Sequence, residues 1–394
     1  MDHLVDYIQW MGDISFSALP VNEQDALVLC MLSYFDLTPL FEKGGRGPVP
    51  VRDCLKLIEE DKVRVMLVGR DRGFGKILEC AARSARYGSL LMRNYADIRR
   101  AEPPLQFSAV TFCAPDFSFV TYRGTDDSLA GWEEDFMISF TVTEAQKLAA
   151  EYLRRAMKRK KPCYIGGHSK GGNLALVAAC SLPDTLWERV GHLYLLDGPG
   201  ICPEVMDDSS LKRIDGKTTK IQPAFSIVGK LFEPEITDSR IVQSSASGFV
   251  QHSLDTWGID HGKLLLADGP HPRSVWINEI LSRWIGGISQ EDRVVFVKEI
   301  FDALAADGAS SFDDIEEGGM GGVEAILLKL FTSSEVTRKT LGDLPKRAIL
   351  GDYYDAIARM GLGPWLKESI QSWQSQVLER RAKQEAAPQE PPKD

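Results

Sequence analysis

One serine in this chain sits where its neighbours could make it a nucleophile. It is the centre of Gly167-His168-Ser169-Lys170-Gly171, between the apolar run Cys163-Tyr164-Ile165 and the small-residue stretch Asn173-Leu174-Ala175-Leu176-Val177-Ala178-Ala179. The first run reads as a buried strand and the second as a helix. A serine on such a strand-to-helix turn stands exposed above the sheet. Its flanking glycines are required because a Cβ there would strike the neighbouring strand and helix. The new helix points its N-terminus at the serine, where backbone N–H groups can meet a forming negative charge. The five-residue pattern alone is weak: this chain's glycine and serine content would produce it by chance roughly once in five such sequences. The strand before it and the helix after it carry the weight, and a plain glycine-rich turn is the rival reading.

Acyl transfer at a serine also needs a base, an acid that orients the base, and oxyanion donors. With Ser169 first, the order serine, acid, histidine leaves His252, His261 and His271 as candidate bases. His252 is preferred, because Gly248-Phe-Val-Gln-His252 follows the last strand-like segment, where a loop can return to the turn. His271 in Asp268-Gly-Pro-His and then His261 come after it, and an ordinary surface or hydrogen-bonded histidine is the rival reading. Asp197 is the best-placed acid, since it ends the apolar run His192–Leu196 and opens a Gly-Pro-Gly turn. It reads equally as a turn former, and Asp207, Asp208 and Asp238 are alternatives. The backbone N–H of Lys170 should be one oxyanion donor. The loop Gly124-Thr125, after an earlier strand, should supply the other.

The elements that must position these residues follow from periodicity. Asn22-Glu-Gln-Asp25 leads into an apolar run that predicts a buried helix, and residues 51–104 read as a second helical block. This N-terminal region, 1–104, is expected to pack on or cap a later sheet. From Leu105 the chain turns β-branched and aromatic. Phe107–Cys113 and Phe117–Tyr122 flank Ala114-Pro115-Asp116 and predict a hairpin. Thr143-Glu-Ala-Gln146 is a capping box that opens a helix to about Lys160. Further strands are expected at 224–228 and at Ile241-Val242, and a helix at 272–285. The alternation over 105–287 predicts an α/β sheet with crossover helices. A helical extension is expected over 288–379, interrupted at Gly318–Gly322, with a disordered polar tail over 380–394.

Composition narrows the function classes. A chain of 394 residues with 44% hydrophobic and 26% charged content is that of a globular protein with a real core. Its formal net charge of −10 argues against a nucleic-acid partner. Seven scattered cysteines without zinc spacing suggest reduced core thiols. No basic leader and no apolar run of spanning length precede or interrupt the chain, so a cytoplasmic location is expected. No metal or cofactor is called for, no amphipathic helix supports docking on a membrane surface, and the oligomeric state is left open.

Tyr122-Arg-Gly-Thr125 with Trp132 and Asp135, followed by Gly167–Gly172, resembles the core of the class 3 lipases. The start Leu4–Asp13, the turn Asp197-Gly-Pro-Gly200, Ser226-Ile-Val-Gly229 and Gln251-His252 resemble more closely an uncharacterised bacterial family of lipase-like α/β hydrolases. The similarity covers roughly residues 1–285. It implies an α/β-hydrolase fold, Ser169 as nucleophile, His252 as base and Thr125 at the oxyanion hole. One departure stands out. Class 3 lipases take their acid from the segment after the next strand, and here that segment reads Phe225-Ser226-Ile227. Either Asp197 supplies the acid from the earlier strand or the triad is incomplete. The expected function is a serine hydrolase acting on a carboxylic ester of a lipid or acylated small molecule. A non-catalytic binding protein, or an acyltransferase, thioesterase or peptidase using the same serine, is the alternative.

Overall fold

Ten residues after Asn22 fold as a helix that has no solvent side. Asn22 caps it by accepting from the Asp25 amide at 2.9 Å, while Asp25 accepts from the Asn22 amide at 3.0 Å. From Gln24 to Leu32 every residue is buried, which a helix apolar on all faces requires. The computed structural model describes residues 1–44, 47–66, 73–100, 102, 105–125, 137–202, 205–272, 274–275, 278, 288–304 and 333–337. They fall into two compact units, the first reaching to residue 278 and the second holding 288–304 and 333–337.

In the first unit the helices are α1 (Leu4–Met11), α2 (Glu23–Leu32), α3 (Leu55–Glu59), α4 (Phe74–Arg83) and α5 (Ala85–Gly88). They continue with α6 (Glu144–Ala156), α7 (Lys170–Cys180), α8 (Asp184–Trp187) and α9 (Asp208–Asp215). The strands are β1 (Val49–Pro50), β2 (Leu91–Arg100), β3 (Leu105–Cys113), β4 (Ser118–Tyr122), β5 (Cys163–His168), β6 (Val190–Leu196), β7 (Thr218–Pro223) and β8 (Asp238–Val242). Among the described residues these eight form one sheet in sequential order. The pairs from β1 to β4 are antiparallel and those from β4 to β8 parallel. A small hairpin, β9 (Ile259–Asp260) with β10 (Lys263–Leu264), lies beyond it.

Each face of the sheet has its own core. Val110, Phe112, Phe119, Tyr194, Leu196 and Ile221 pack with α1, α2, α4 and α5. Phe107, Val120, Ile165, Leu193 and Leu195 pack with α6 and α7. The result is a helix–sheet–helix sandwich, mostly parallel, with a strand–serine–helix turn at its centre: an α/β-hydrolase fold. The N-terminal helices therefore form a supporting layer against one face.

Three local expectations need correction. Residues 91–100 were expected within a helical block, yet they form β2, with a register shift between Arg93 and Ala96 and Asn94 at φ 53°. Strand pairing with β3 overrides the local pattern. The strand expected at 224–228 is instead loop, and the strand before it is β7, whose polar Lys220 and Gln222 are buried and bonded to Glu233. The helix from Thr143 stops at Ala156, before the basic run Lys158–Lys161. The helix expected over 272–285 and the segment 318–322 lie largely or wholly outside the described residues, as does the tail. In the second unit, α10 (Gln290–Leu304) carries Glu299, which accepts from the Ser334 amide at 3.0 Å and its hydroxyl at 2.8 Å. Among the described residues no helix is long and apolar enough to cross a membrane.

Candidate active site

Ser169 follows β5 and caps α7 at φ 58°, ψ −133°, a conformation that costs an L-residue about 1–3 kcal/mol. The strain is held by the surroundings. The Ser169 amide donates to the Leu196 carbonyl at 3.0 Å, and the Gly172 amide donates to the Ser169 carbonyl at 2.8 Å. A Cβ on Gly167 would lie 2.0 Å from the Gly171 carbonyl oxygen, and one on Gly171 would lie 2.1 Å from the Tyr122 carbonyl oxygen, so the helix sits this close to β5 and β4 only because each is glycine. Ser169 is 4% exposed and Lys170 1%.

Asp197 follows β6, the neighbouring strand, and also has positive φ, 43°. Its carboxylate is buried, and two groups donate to it. His252 Nδ1–H donates to Oδ2 at 2.6 Å, and the Ser226 hydroxyl donates to Oδ1 at 2.5 Å. Donation from Nδ1 leaves the lone pair of a neutral His252 on Nε2. Ser226, in the segment after β7, serves the carboxylate that follows the adjacent strand. The Ser226 carbonyl is itself held by Asn278 Nδ2 at 2.9 Å and by the Ser274 hydroxyl. In β7, burial pulls the Lys220 ammonium down to about 8, against the opposing pull of its partner Glu233.

His252 is tied to the serine turn through His168. The His168 Nε2–H donates to the His252 carbonyl at 2.8 Å, and the two rings lie 4.5 Å apart. Because a carbonyl only accepts, Nε2 carries the proton and Nδ1 is the acceptor. It receives the Tyr34 hydroxyl at 2.7 Å, and Tyr34 Oη in turn accepts the Gly124 amide at 3.2 Å. Burial, aided by the neighbouring His252, pushes the His168 pKa well below the usual imidazole value, consistent with that neutral form. Gly124 sits against the serine: a Cβ there would come 2.9 Å from Ser169 Cβ and 2.8 Å from the His168 carbonyl oxygen. Thr125, next in the chain, is buried.

The remaining candidates lie elsewhere. His261 occupies the exposed β9–β10 turn beside Asp260. His271 packs its ring edge-on against Phe225, 5.6 Å between centroids. Asp207 caps α9 by accepting from the Ser210 amide, Asp208 begins that helix, and Asp238 binds Arg240 and Thr219. Trp132 and Asp135 lie outside the described residues.

The family model for Mbeg1-like proteins matches residues 81–302, more than half of the chain. The chain belongs to the Mbeg1-like family. Two solved structures are similar to this Mbeg1-like chain. One is described as M37 lipase, with 16% identity, 53% of this chain and 70% of that chain covered, and a TM-score of 0.34. The other is a mutant form of MDLA from Penicillium cyclopium, with 12% identity, 65% and 88% covered, and a TM-score of 0.38. At such scores they add nothing to the fold assignment, which the sheet order and the serine turn carry. No curated protein matches the chain.

Three residues of this Mbeg1-like site were not read from sequence. In the sequence Ser226 marks a resemblance segment and the place of a missing carboxylate, His168 is the variable position of the serine motif, and Tyr34 carries no signal. The one available signal was His168 itself, an imidazole placed beside the nucleophile in an apolar strand end, which needs two partners once buried.

Proposed function

We propose that this protein is a serine hydrolase that cleaves a carboxylic ester through an acyl-enzyme on Ser169. The observation carrying the proposal is the His252 Nδ1–Asp197 hydrogen bond at 2.6 Å, with His252 tied through His168 to the strand-to-helix turn that carries the strained serine. In this reading His252 Nε2 takes the Ser169 proton as Oγ attacks the ester carbonyl carbon. The oxyanion is met by the backbone N–H groups of Lys170 and Thr125. His252 then gives its proton to the leaving alcohol oxygen as the C–O bond breaks. Water, deprotonated by His252, attacks the acyl-enzyme and returns Ser169 to its starting state. Asp197 stays ionised throughout and stabilises the transient imidazolium.

An ester of a lipid or acylated small molecule is the proposed substrate class, supported by the resemblance of Tyr122–Thr125 and Gly167–Gly172 to class 3 lipases. A cytoplasmic setting is part of the same reading, supported by seven free thiols, with Cys113 and Cys163 both buried. Thioester cleavage, peptide cleavage and acyl transfer use the same groups and are separated by the choice of acceptor and leaving group.

The test is labelling with a fluorophosphonate probe. Wild type is expected to label, while Ser169→Ala and His252→Ala lose labelling and at least about 10⁴-fold of ester turnover with the fold retained. Undiminished turnover in Ser169→Ala would remove the assignment. A folded wild type that never labels would favour a binding protein on the same fold.

A further inference from the structure

Three loops must keep register for chemistry at Ser169: the loop after β4 that carries Gly124 and Thr125, the serine turn, and the loop that carries His252. They come from residues far apart in sequence; β4 pairs with β5 up to Tyr122 and Gly167, which brings the first two loops together but does not tie in the His252 loop. One chain of hydrogen bonds does. The Gly124 amide donates to Tyr34 Oη at 3.2 Å, Tyr34 Oη–H donates to His168 Nδ1 at 2.7 Å, and His168 Nε2–H donates to the His252 carbonyl at 2.8 Å.

The carbonyl at one end sets the direction of the bonds. A carbonyl can only accept, so the single imidazole proton sits on Nε2 and Nδ1 is an acceptor; the Tyr34 proton then points at Nδ1 at 2.7 Å rather than at the His168 carbonyl, the longer contact at 3.5 Å. The reverse tautomer would place two lone pairs together at the His252 carbonyl and turn the Tyr34 proton to that longer contact. Tyr34 and His168 are 1% exposed each, so water cannot take over a lost partner at low cost. The ring of His168 also lies 4.5 Å from that of His252 and 5.7 Å from that of Tyr34, which leaves little room for either neighbour to turn.

We infer that Tyr34 and His168 are positioning residues that lock the proposed oxyanion loop to the proposed base loop across the serine turn. Neither touches substrate. Tyr34 fixes the Gly124 amide, and thereby the peptide that presents Thr125. His168 fixes the main chain of His252 while Asp197 fixes its ring. Tyr34 comes from just beyond α2, so the supporting helical layer contributes directly to the alignment of the site. The inference rests on the serine-hydrolase reading for its catalytic meaning, but its hydrogen-bond pattern is measurable without turnover.

The experiment combines imidazole ¹⁵N NMR of the full chain at pH 7.5 with fluorophosphonate labelling and ester kinetics of Tyr34→Phe, His168→Asn and His168→Gln. Wild type is expected to hold His168 as the Nε2–H tautomer, and Tyr34→Phe to mix the two tautomers. Tyr34→Phe should lower kcat and the labelling rate roughly tenfold to a hundredfold, with KM changed less than about twofold. An asparagine amide can replace only the Nδ1 position, whereas a glutamine amide can reach the Nε2 position and donate to the His252 carbonyl. His168→Gln should therefore retain most of the rate and His168→Asn should lose as much as Tyr34→Phe. A role confined to stability would not separate these two variants at equal melting temperature.

An Nδ1–H tautomer in wild type overturns the inference, as does Tyr34→Phe labelling as fast as wild type. A wild type with the Nε2–H tautomer that never labels defeats the serine-hydrolase reading, and the positioning role falls with it.

Discussion

Among the described residues two aspartates are completely buried, and they have been given opposite surroundings. Asp25, in α2, faces a guanidinium: Arg86 reaches it through Nε at 2.7 Å and Nη2 at 2.5 Å, and Tyr87 Oη donates at 2.6 Å. Arg86 is further held by the Ile14 and Leu19 carbonyls and lies over the Phe16 ring at 3.9 Å. Among the described residues Asp197 receives an imidazole N–H and a hydroxyl. A carboxylate paired with arginine is neutralised permanently, because the guanidinium keeps its proton at any pH the protein meets. A carboxylate paired with histidine keeps a negative charge that becomes fully matched only when the ring gains a proton. The first arrangement joins α2 to α5 and the loop before it. The second is suited to a proton that arrives and leaves.

The largest effect that would sharpen this contrast is on rate at Asp197. Asp197→Asn should slow ester turnover by about 10⁴-fold, or about 5 kcal/mol of barrier, because the amide no longer fixes the His252 tautomer or stabilises its cation. Its unfolding midpoint in urea should move little. Arg86→Met should do the reverse. It leaves the Asp25 charge buried without its partner and should destabilise the fold by about 3–5 kcal/mol, read from denaturant unfolding, while the folded fraction turns over at the wild-type rate. If Arg86→Met lowered the activity of folded molecules as strongly as Asp197→Asn does, the division between the two aspartates would be wrong. The smallest effect is expected at Ser226→Ala, which removes one of the two donors to Asp197. A loss of about 1 kcal/mol, or roughly fivefold to tenfold in kcat, should appear with KM unchanged.

How legible these features were in the sequence depended on their range. The serine turn could be read because strand, glycines, serine and helix are contiguous, and each constrains the next. His252 and Asp197 could be nominated from chain order and strand ends, although only the fold brings them within 2.6 Å. Tyr34 could not be found, since it meets His168 across 134 residues and nothing in its own neighbourhood marks it. Polarity misled in two places. β7 carries Thr218, Thr219, Lys220 and Gln222, all buried, and a strand that buries such residues does not look like one until Glu233 is seen to pair with Lys220. β2 has a mixed pattern because it is largely half-exposed and broken by a register shift at Asn94.

The all-round burial of α2 has a consequence for how the chain must be made. This helix leaves the ribosome well before the residues that cover it on the sheet side, from Val110 to Ile221. At the usual rates of synthesis that interval is roughly ten to forty seconds. During it an apolar segment of some three turns has no partner. The nascent chain therefore either shelters α2 against the other early helices, through the Asp25–Arg86 pair, or hands it to a chaperone until the strands arrive.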